Sequence, residues 1–308
     1  MKILMTGSTG FVGKALCQDL QNAGHTVCRL VRPGTPAEKP RGAEGFDVNW
    51  NPATGELGGA AVGADAVVNL AGASIADGRW TVERKQLLLA SRVDTTRALV
   101  QALSKMAARP RVLVSASGIG YYGSCSDRVL TEENPLGHDF LSRLGQEWEA
   151  EAAKAEALGI RVVRARFGII LAKHGGALPR MARPFLWGAG GKIASGEHWM
   201  SWVTLQDVVG ILRLTLENGA ARGAVNVVSP QPVRNAEFTK ILAKTLHRPA
   251  LFPAPAFALR LLLGEMADEL LLSSQRAKPA QLQKLGYRFL HPELPGALAW
   301  VFGTASSE

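Results

Sequence analysis

The first sixteen residues, MKILMTGSTGFVGKAL, carry a short apolar run at Ile3 to Met5 into glycines at 7, 10 and 13. Helical apolar spacing follows at Val12, Ala15, Leu16 and Leu20. This pattern predicts a strand, a tight glycine turn and a helix. In such a unit Gly7 turns the chain, Gly10 lets backbone N–H groups come close to a pyrophosphate, and Gly13 lets helix and strand pack. The helix N-terminus faces the negative charge. The expected ligand is a dinucleotide.

Which dinucleotide is decided about 20 residues further on. After Gly24, HTVCRLVR predicts a second strand that ends at Val31 and Arg32. An NAD site usually places a carboxylate there for the ribose 2′-OH. This chain has none, and Arg32 offers a guanidinium that can grip a 2′-phosphate bidentately, so the reading is NADP. Arg29, three residues earlier on the opposite side of a regular strand, reads as a solvated surface arginine or as an assistant to Arg32.

Strand-like and helix-like segments alternate to about residue 172: DAVVNLAG, a long helical stretch from Trp80 to Lys105, RVLVSAS, a helix to Leu158, and IRVVRARFGIIL. The alternation predicts an α/β domain with a doubly wound parallel sheet, Rossmann-like, over 1–172. A helix from Gln206 to about Glu217 and the strand AVNVVS are expected to return 203–230 to that sheet. Segments 173–202 and 231–308 are expected to form a smaller, mostly helical lobe for substrate, its elements ended by prolines.

With 308 residues at 47% hydrophobic composition the chain can bury such a core. Its three cysteines are far apart and show no paired spacing, which fits a reducing cytoplasm. Met1 and Lys2 lead into only three apolar residues, so the start does not read as a signal peptide. The apolar stretch AFALRLLLGEMADELLL is interrupted by Arg260, Glu265, Asp268 and Glu269, and reads as an amphipathic core or interface helix rather than a membrane span. The net charge of +9 is scattered without a basic stripe, which argues against nucleic acid. Six dispersed histidines offer no metal constellation.

TGSTGFVG, NLAG at 69–72 and SASGIGYYG at 115–123, in that order, resemble the extended short-chain dehydrogenase/reductases, the superfamily of the sugar-nucleotide epimerases. Arg79-Trp80, Ser91-Arg92, Asp139-Phe140-Leu141, Gln146 to Glu149, Gly175 to Leu178, Trp199 to Trp202 and Pro230 to Asn235 look like one atypical branch. That branch is the epimerase-like family often labelled as cell-division inhibitors, whose members end in a conserved domain of unknown function. GEMADELLLSSQRAKPAQLQKLGYRF is similar to that ending. The resemblance implies NADP held by Thr6, Gly7, Thr9, Gly10, Phe11, Val12, Gly13 and Arg32, by Leu70, Ala71 and Gly72, and by Ser115. It leaves the substrate open, a small or nucleotide-linked molecule.

Enzymes of this superfamily move the substrate proton with a tyrosine whose pKa is lowered by a lysine four residues on. Here the residues four beyond Tyr121, Tyr122 and Tyr287 are Cys125, Ser126 and His291, so the pair is absent. By resemblance Phe140 and Leu144 stand in the two places and Trp148 continues their row, as core packing or as an apolar wall for substrate. Ser117 matches the superfamily serine that bonds the reacting oxygen, with Ser115 as a neighbouring alternative. Tyr121 and Tyr122 are the candidate phenols, with a pKa near about 10 unless an arginine approaches in space. Glu147 and Glu149 read as candidate acids on a cleft-lining helix or as exposed helix glutamates. After GAGGKIASGE, His198, Trp199, Ser201 and Trp202 stand where the resemblance puts a substrate loop. His198, Trp199 and Trp202 are the substrate candidates, the tryptophans reading equally as caps of the core between the lobes.

Arg164 and Arg166 alternate along a strand and point one way, towards solvent or a phosphate-bearing ligand. Asp207 reads as a helix cap. Two functions fit: an NADP-binding oxidoreductase of atypical chemistry, or a non-catalytic NADP-binding redox sensor acting through a partner surface. The expected state is a monomer or homodimer.

Overall fold

The structure, a computed structural model, describes residues 1–31 and 45–303. The first unit is β1 (Lys2–Thr6), α1 (Phe11–Asn22) and β2 (Thr26–Val31), followed by β3 (Gly45–Asn51) and β4 (Glu56–Leu57). The chain then runs through β5 (Ala66–Asn69), α2 (Val82–Ala90), α3 (Val93–Ser104), β6 (Val112–Gly118), β7 (Val129–Leu130), α4 (Phe140–Ala153) and β8 (Arg161–Phe167). Next come β9 (Ile169–Leu171), α5 (Leu178–Leu186), β10 (Trp199–Met200), β11 (Trp202–Thr204), α6 (Leu205–Glu217) and β12 (Gly223–Val227). The C-terminal part holds β13 (Val233–Arg234), α7 (Asn235–Leu246), α8 (Ala256–Leu263), β14 (Arg276–Ala277), α9 (Ala280–Lys284) and α10 (Leu294–Phe302).

Eight strands form one sheet in the order β12-β8-β6-β5-β1-β2-β3-β4, parallel except for the terminal β3–β4 hairpin. The expected doubly wound, Rossmann-like architecture is present. The chain winds outward from β1 through β2 to β4, then restarts at β5 on the other side. The switch point therefore lies between β1 and β5, where open α/β sheets bind ligands beyond the strand carboxyl ends. β5 is buried along its whole length, as a strand covered on both faces must be. One face packs Leu16 and Leu20 of α1 and Ile211 and Leu212 of α6. The other packs Leu99 and Leu103 of α3 and Ala152 of α4. A separate core gathers around Trp202, Phe238 and Leu298.

Four elements differ from the sequence reading. The helix expected from Trp80 to Lys105 is two helices, because Ser91 and Arg92 divert backbone groups to their side chains. The Ser91 hydroxyl donates to Leu88 O and accepts from Ala73 N, and the Arg92 guanidinium donates to Leu88 O and Ala73 O. IRVVRARFGIIL is likewise two strands. At Gly168 the chain leaves the sheet so that β9 pairs with β11, and a Cβ there would stand 2.5 Å from Ser201 O. AFALRLLLGEMADELLL breaks at Gly264, which has φ +63°. β3 has no counterpart in the sequence reading, because GFDVNWN lacks a run of β-branched residues.

Gly168→Ala should cost about 1–3 kcal/mol, the usual penalty of overpacking at a site that cannot relax. Urea denaturation would measure it. An unchanged midpoint would show that the junction between sheet and lobe tolerates a side chain.

Candidate active site

The glycine turn lies at the switch point. Gly7 has φ +66°, and a Cβ on it would stand 2.5 Å from Leu70 O, so the turns after β1 and β5 touch. A Cβ on Gly13 would stand 2.1 Å from Gly7 O, which closes α1 onto the turn. Gly10 is the exposed N-cap of α1, with no side chain capping the helix and no acidic residue in its first turn. Its first amides are left for an anion, and the macrodipole favours one. Thr9 is exposed beside them. The Phe11 ring lies against Gly175 and Gly176, tying the turn to the segment before α5, and Val12 packs on the core under α1.

Thr6 and Ser115 take a supporting place rather than the ligand-facing one expected. Both are buried, with their hydroxyls used internally. Thr6 Oγ1 donates to Asn69 Oδ1 at 2.7 Å and accepts from the amides of Leu70 and Ala71. Asn69 Nδ2 donates to Thr96 Oγ1 and Ser115 Oγ. These bonds shape the Leu70–Gly72 loop from behind. Arg32 lies outside the described residues. Arg29 is neither solvated nor free: its Nε donates to Asp47 Oδ1 at 2.7 Å, in an ion pair between β2 and β3.

At the end of β6 a buried polar cluster replaces the expected surface groups. Ser117 Oγ donates to Glu149 Oε1 at 2.7 Å, and Arg166 grips both carboxylate oxygens through Nε and Nη2 at 2.7 and 2.8 Å. Glu149 and Arg166 are 4% and 3% exposed, which rules out the solvent-facing alternative for both. Arg164 does share their side of β8, with Nη1 3.8 Å from Glu149. Arg166 Nη1 donates to the Tyr122 hydroxyl, which donates to Asn226 Oδ1. Burial pushes the Tyr122 phenol up to about 12 despite the guanidinium. The Arg166 guanidinium carbon also lies over the Tyr121 ring, 3.5 Å from its centroid. Among the described residues the Tyr121 hydroxyl has no hydrogen-bond partner.

The row of α4 that faces this cluster is Leu141, Gly145 and Glu149, one residue on from the row expected. Leu141 packs against Gly120, Tyr121 lies 3.5 Å from where a Cβ at 145 would stand, and Glu149 meets Ser117. Phe140, Leu144 and Trp148 form a buried cluster with Leu88 and Val93, which Leu141 also joins. Phe140 meets the Trp80 ring edge-on, with Lys85 over its face. Trp148 Nε1 donates to Thr96 Oγ1. Neither row carries an ionisable pair at its first two positions.

Arg92 escaped the sequence reading except as half of the Ser91-Arg92 motif. It is buried against the Trp148 ring and the Gly72–Ala73 backbone, and bonds only neutral oxygens; burial draws its pKa down to about 10. No carboxylate among the described residues pairs with it.

In the lobe, Trp202 is fully buried with its indole N–H on Gln231 O, which removes it from the substrate set. Ser201 is buried too, its hydroxyl bonded to Gln275 O. Trp199 is half-buried, its Nε1 on Asp127 at 2.7 Å and its ring flanked by Arg234 and Arg276. His198 is half-buried, and burial lowers its pKa. Asp207 is not the cap of α6, a place taken by Thr204; it accepts instead from Tyr287 Oη, Leu290 N and His291 N, anchoring the C-terminal segment.

That segment reaches the site. Glu269 accepts from the amides of Phe140 and Leu141 at 3.1 and 2.9 Å, and Glu265 pairs with Lys85. A cavity of about 690 Å³ between α1, α6 and α10 contains none of the groups at the end of β6. No helix among the described residues is long and apolar enough to cross a membrane.

Residues 3–228 match the NAD dependent epimerase/dehydratase family, and residues 254–301 match DUF1731, a domain of unknown function. An epimerase family protein of Mycobacterium tuberculosis is 40% identical over 299 residues, 97% of this chain and 96% of its own length. The crystal structure of human epimerase family protein SDR39U1 (isoform2) with NADPH aligns with a TM-score of 0.88 at 32% identity, over 99% of this chain and 100% of that one. MoeE5 in complex with UDP-glucuronic acid and NAD shares the fold, with a TM-score of 0.78 at 20% identity over 99% and 100% of the two chains.

Glu149→Ala should destabilise the protein by about 3–5 kcal/mol, because Arg166 would stay buried without its partner. Glu149→Leu combined with Arg166→Met should cost less than the single change. Urea denaturation of both decides it, and a single variant within about 0.5 kcal/mol of the parent would contradict the buried pair.

Glu269 gives a pH signature. Burial, with Asp139 and Glu265 nearby, raises its pKa above the usual carboxyl value, against the two amides that lower it. A group raised by folding contributes stability that is fully present below its unfolded pKa and is lost as pH rises through the folded one. Relative to the parent, Glu269→Gln should therefore gain unfolding midpoint between acid and neutral pH. A difference constant across that range would refute this assignment.

Proposed function

The chain belongs to the NAD dependent epimerase/dehydratase family, and from that premise we propose that it is an NADP-dependent oxidoreductase acting on a small or nucleotide-linked substrate without a Tyr–Lys pair. The glycine turn fits the cofactor: Gly7, Gly10 and Gly13 shape an uncapped helix N-terminus open to a pyrophosphate, beside the Leu70–Gly72 loop. NADP is favoured over NAD by Arg32 and by the lack of a carboxylate at Val31, and the human relative is a structure with NADPH. Arg92 adds a buried positive charge beside the loop, which an anionic ligand group would neutralise. When bound, the cofactor supplies or accepts a hydride.

The observation that carries the reading is the Tyr121 hydroxyl. Reduction of a carbonyl leaves an alkoxide that needs a proton. Ser117 already donates to Glu149, and Tyr122 is held between Arg166 and Asn226, so neither has a proton to spare. Among the described residues Tyr121 is the phenol whose hydroxyl has no hydrogen-bond partner, with the Arg166 guanidinium over its ring and Gly145 alongside. His198 and Trp199 are the lobe residues left to meet substrate, with Phe140 and Leu144 behind the cleft wall. The alternative, a redox sensor that binds NADP without turnover, is supported by the absence of any ionisable side chain at 141 and 145.

Calorimetry should show NADP(H) bound at least about tenfold more tightly than NAD(H), with most of the preference removed by Arg32→Ala, and binding abolished by Gly10→Val. Epimerisation of UDP- and GDP-sugars should be negligible. On whichever carbonyl compound of a panel the parent reduces, Tyr121→Phe should lose about 10² to 10⁴ in kcat. Equal affinity for the two cofactors would overturn the NADP assignment, and full activity in Tyr121→Phe would remove the phenol. Tight NADPH binding with no turnover across the panel would favour the sensor.

A further inference from the structure

Lys173 to Ala177 are exposed residues in a row, set between buried Ala172 and buried Leu178. Among the described residues, no backbone N–H from Lys173 to Gly176 donates a hydrogen bond. Gly175 and Gly176 take φ +82° and +69°, and the Phe11 ring occupies the space where their side chains would stand. Exposed backbone with few contacts opens locally at low cost. Beyond it, Leu178 and Phe185 anchor α5 in the Trp202 core.

The contacts of this segment fall on both sides of the switch point. Phe11 opens α1 at the turn after β1. Arg180, in the first turn of α5, reaches the loop after β5, where Nη1 donates to Ala76 O at 2.9 Å and Nη2 to Asp77 Oδ1 at 2.7 Å. That loop is fixed from its own side: Arg92 donates to Ala73 O, Arg84 to Ser74 O and Trp80 Nε1 to Ile75 O. Ser74 and Arg84 also stand beside Asp77. The loop is therefore a fixed post, and the glycine segment is the part free to move. Its hold is light, because the Arg180 and Asp77 side chains are 62% and 53% exposed and a solvated ion pair is weak. Ligands of open α/β sheets lie in the crevice between these two turns. We propose that residues 173–180 are a strap across the cofactor crevice, latched by Arg180 on Asp77, and that NADP(H) enters and leaves only when the latch opens. The strap rests on the assignment of NADP to the glycine turn. Arg180 is then a positioning residue that sets how long the cofactor stays, and it takes no part in the chemistry.

Stopped-flow fluorescence of NADPH with the full chain gives the association and dissociation rates separately. Arg180→Ala, at an exposed position, should speed dissociation about 3- to 10-fold, the scale of an exposed ion pair with one added hydrogen bond. Association should quicken with it, because the strap is crossed in both directions, so Kd should change less than about threefold. Loss of an ordinary cofactor contact would speed dissociation alone. Asp77→Ala should repeat the pattern, and the double variant should add little to Arg180→Ala, since both act through one contact. Dissociation at the parent's rate in both single variants would overturn the strap and leave the cofactor assignment standing, as would faster dissociation with association unchanged. A parent chain that binds no NADPH would overturn both.

Discussion

The carboxamide of Asn69 holds the functional edge of the sheet together. Buried at the end of β5, it accepts from Thr6 on β1 and donates to Thr96 on α3 and Ser115 on β6. Thr96 in turn accepts from Trp148 on α4. One side chain thus ties together the three central strands and two covering helices at the point where the winding reverses. A buried amide is costly if any of its bonds is left unmade, so the network is satisfied as a unit. The loop from Leu70 to Gly72 and the turn at Gly7 are placed by these bonds, and any cofactor meeting them meets a preset surface.

The two buried arginines beside this frame are treated in opposite ways. Arg166 has a bidentate carboxylate, a phenol and an aromatic face, so its charge is fully answered inside the protein. Arg92 has only neutral oxygens and the Trp148 ring. A buried cation without a counter-charge is unfavourable in the free protein and becomes favourable when an anion arrives. The first arrangement fixes structure, holding Tyr121 and Tyr122 in place. The second stores an electrostatic demand next to the Leu70–Gly72 loop, which an anion would meet.

What the sequence made legible follows from how local each signal is. The glycine turn and the parallel strands are written in contiguous residues, and the fold agrees with them. The row of α4 that faces the site was misread by one residue, because Phe140, Leu144 and Trp148 form the more conspicuous apolar stripe. Leu141, Gly145 and Glu149 look unremarkable until Ser117 and Tyr121 are seen opposite them. Glu149 and Arg166 are each polar alone, so the sequence leaves a solvated place open for both; they are buried because they have each other, and a pairing between a helix and a strand 17 residues apart leaves no periodic trace. Asp207 was read as a local cap, whereas its partners lie about 80 residues downstream. The division of the helix between Trp80 and Lys105 depends on Ala73, a residue outside the segment altogether.

The C-terminal segment completes the site by a logic the first 230 residues do not contain. The N-terminus of α4 is where this fold leaves free amides, and Asp139 caps one of them from within, through Ser142 N. Phe140 and Leu141 are capped by Glu269, from 128 residues away, in a segment anchored by Lys85 and by the Asp207 contacts beyond it. Helix amides bound by a carboxylate from the lobe are not available to a substrate, so α4 offers its side-chain row rather than its end to the cleft. That row begins with a leucine and a glycine. The loop after β6 carries the Tyr121 hydroxyl, which has no hydrogen-bond partner among the described residues.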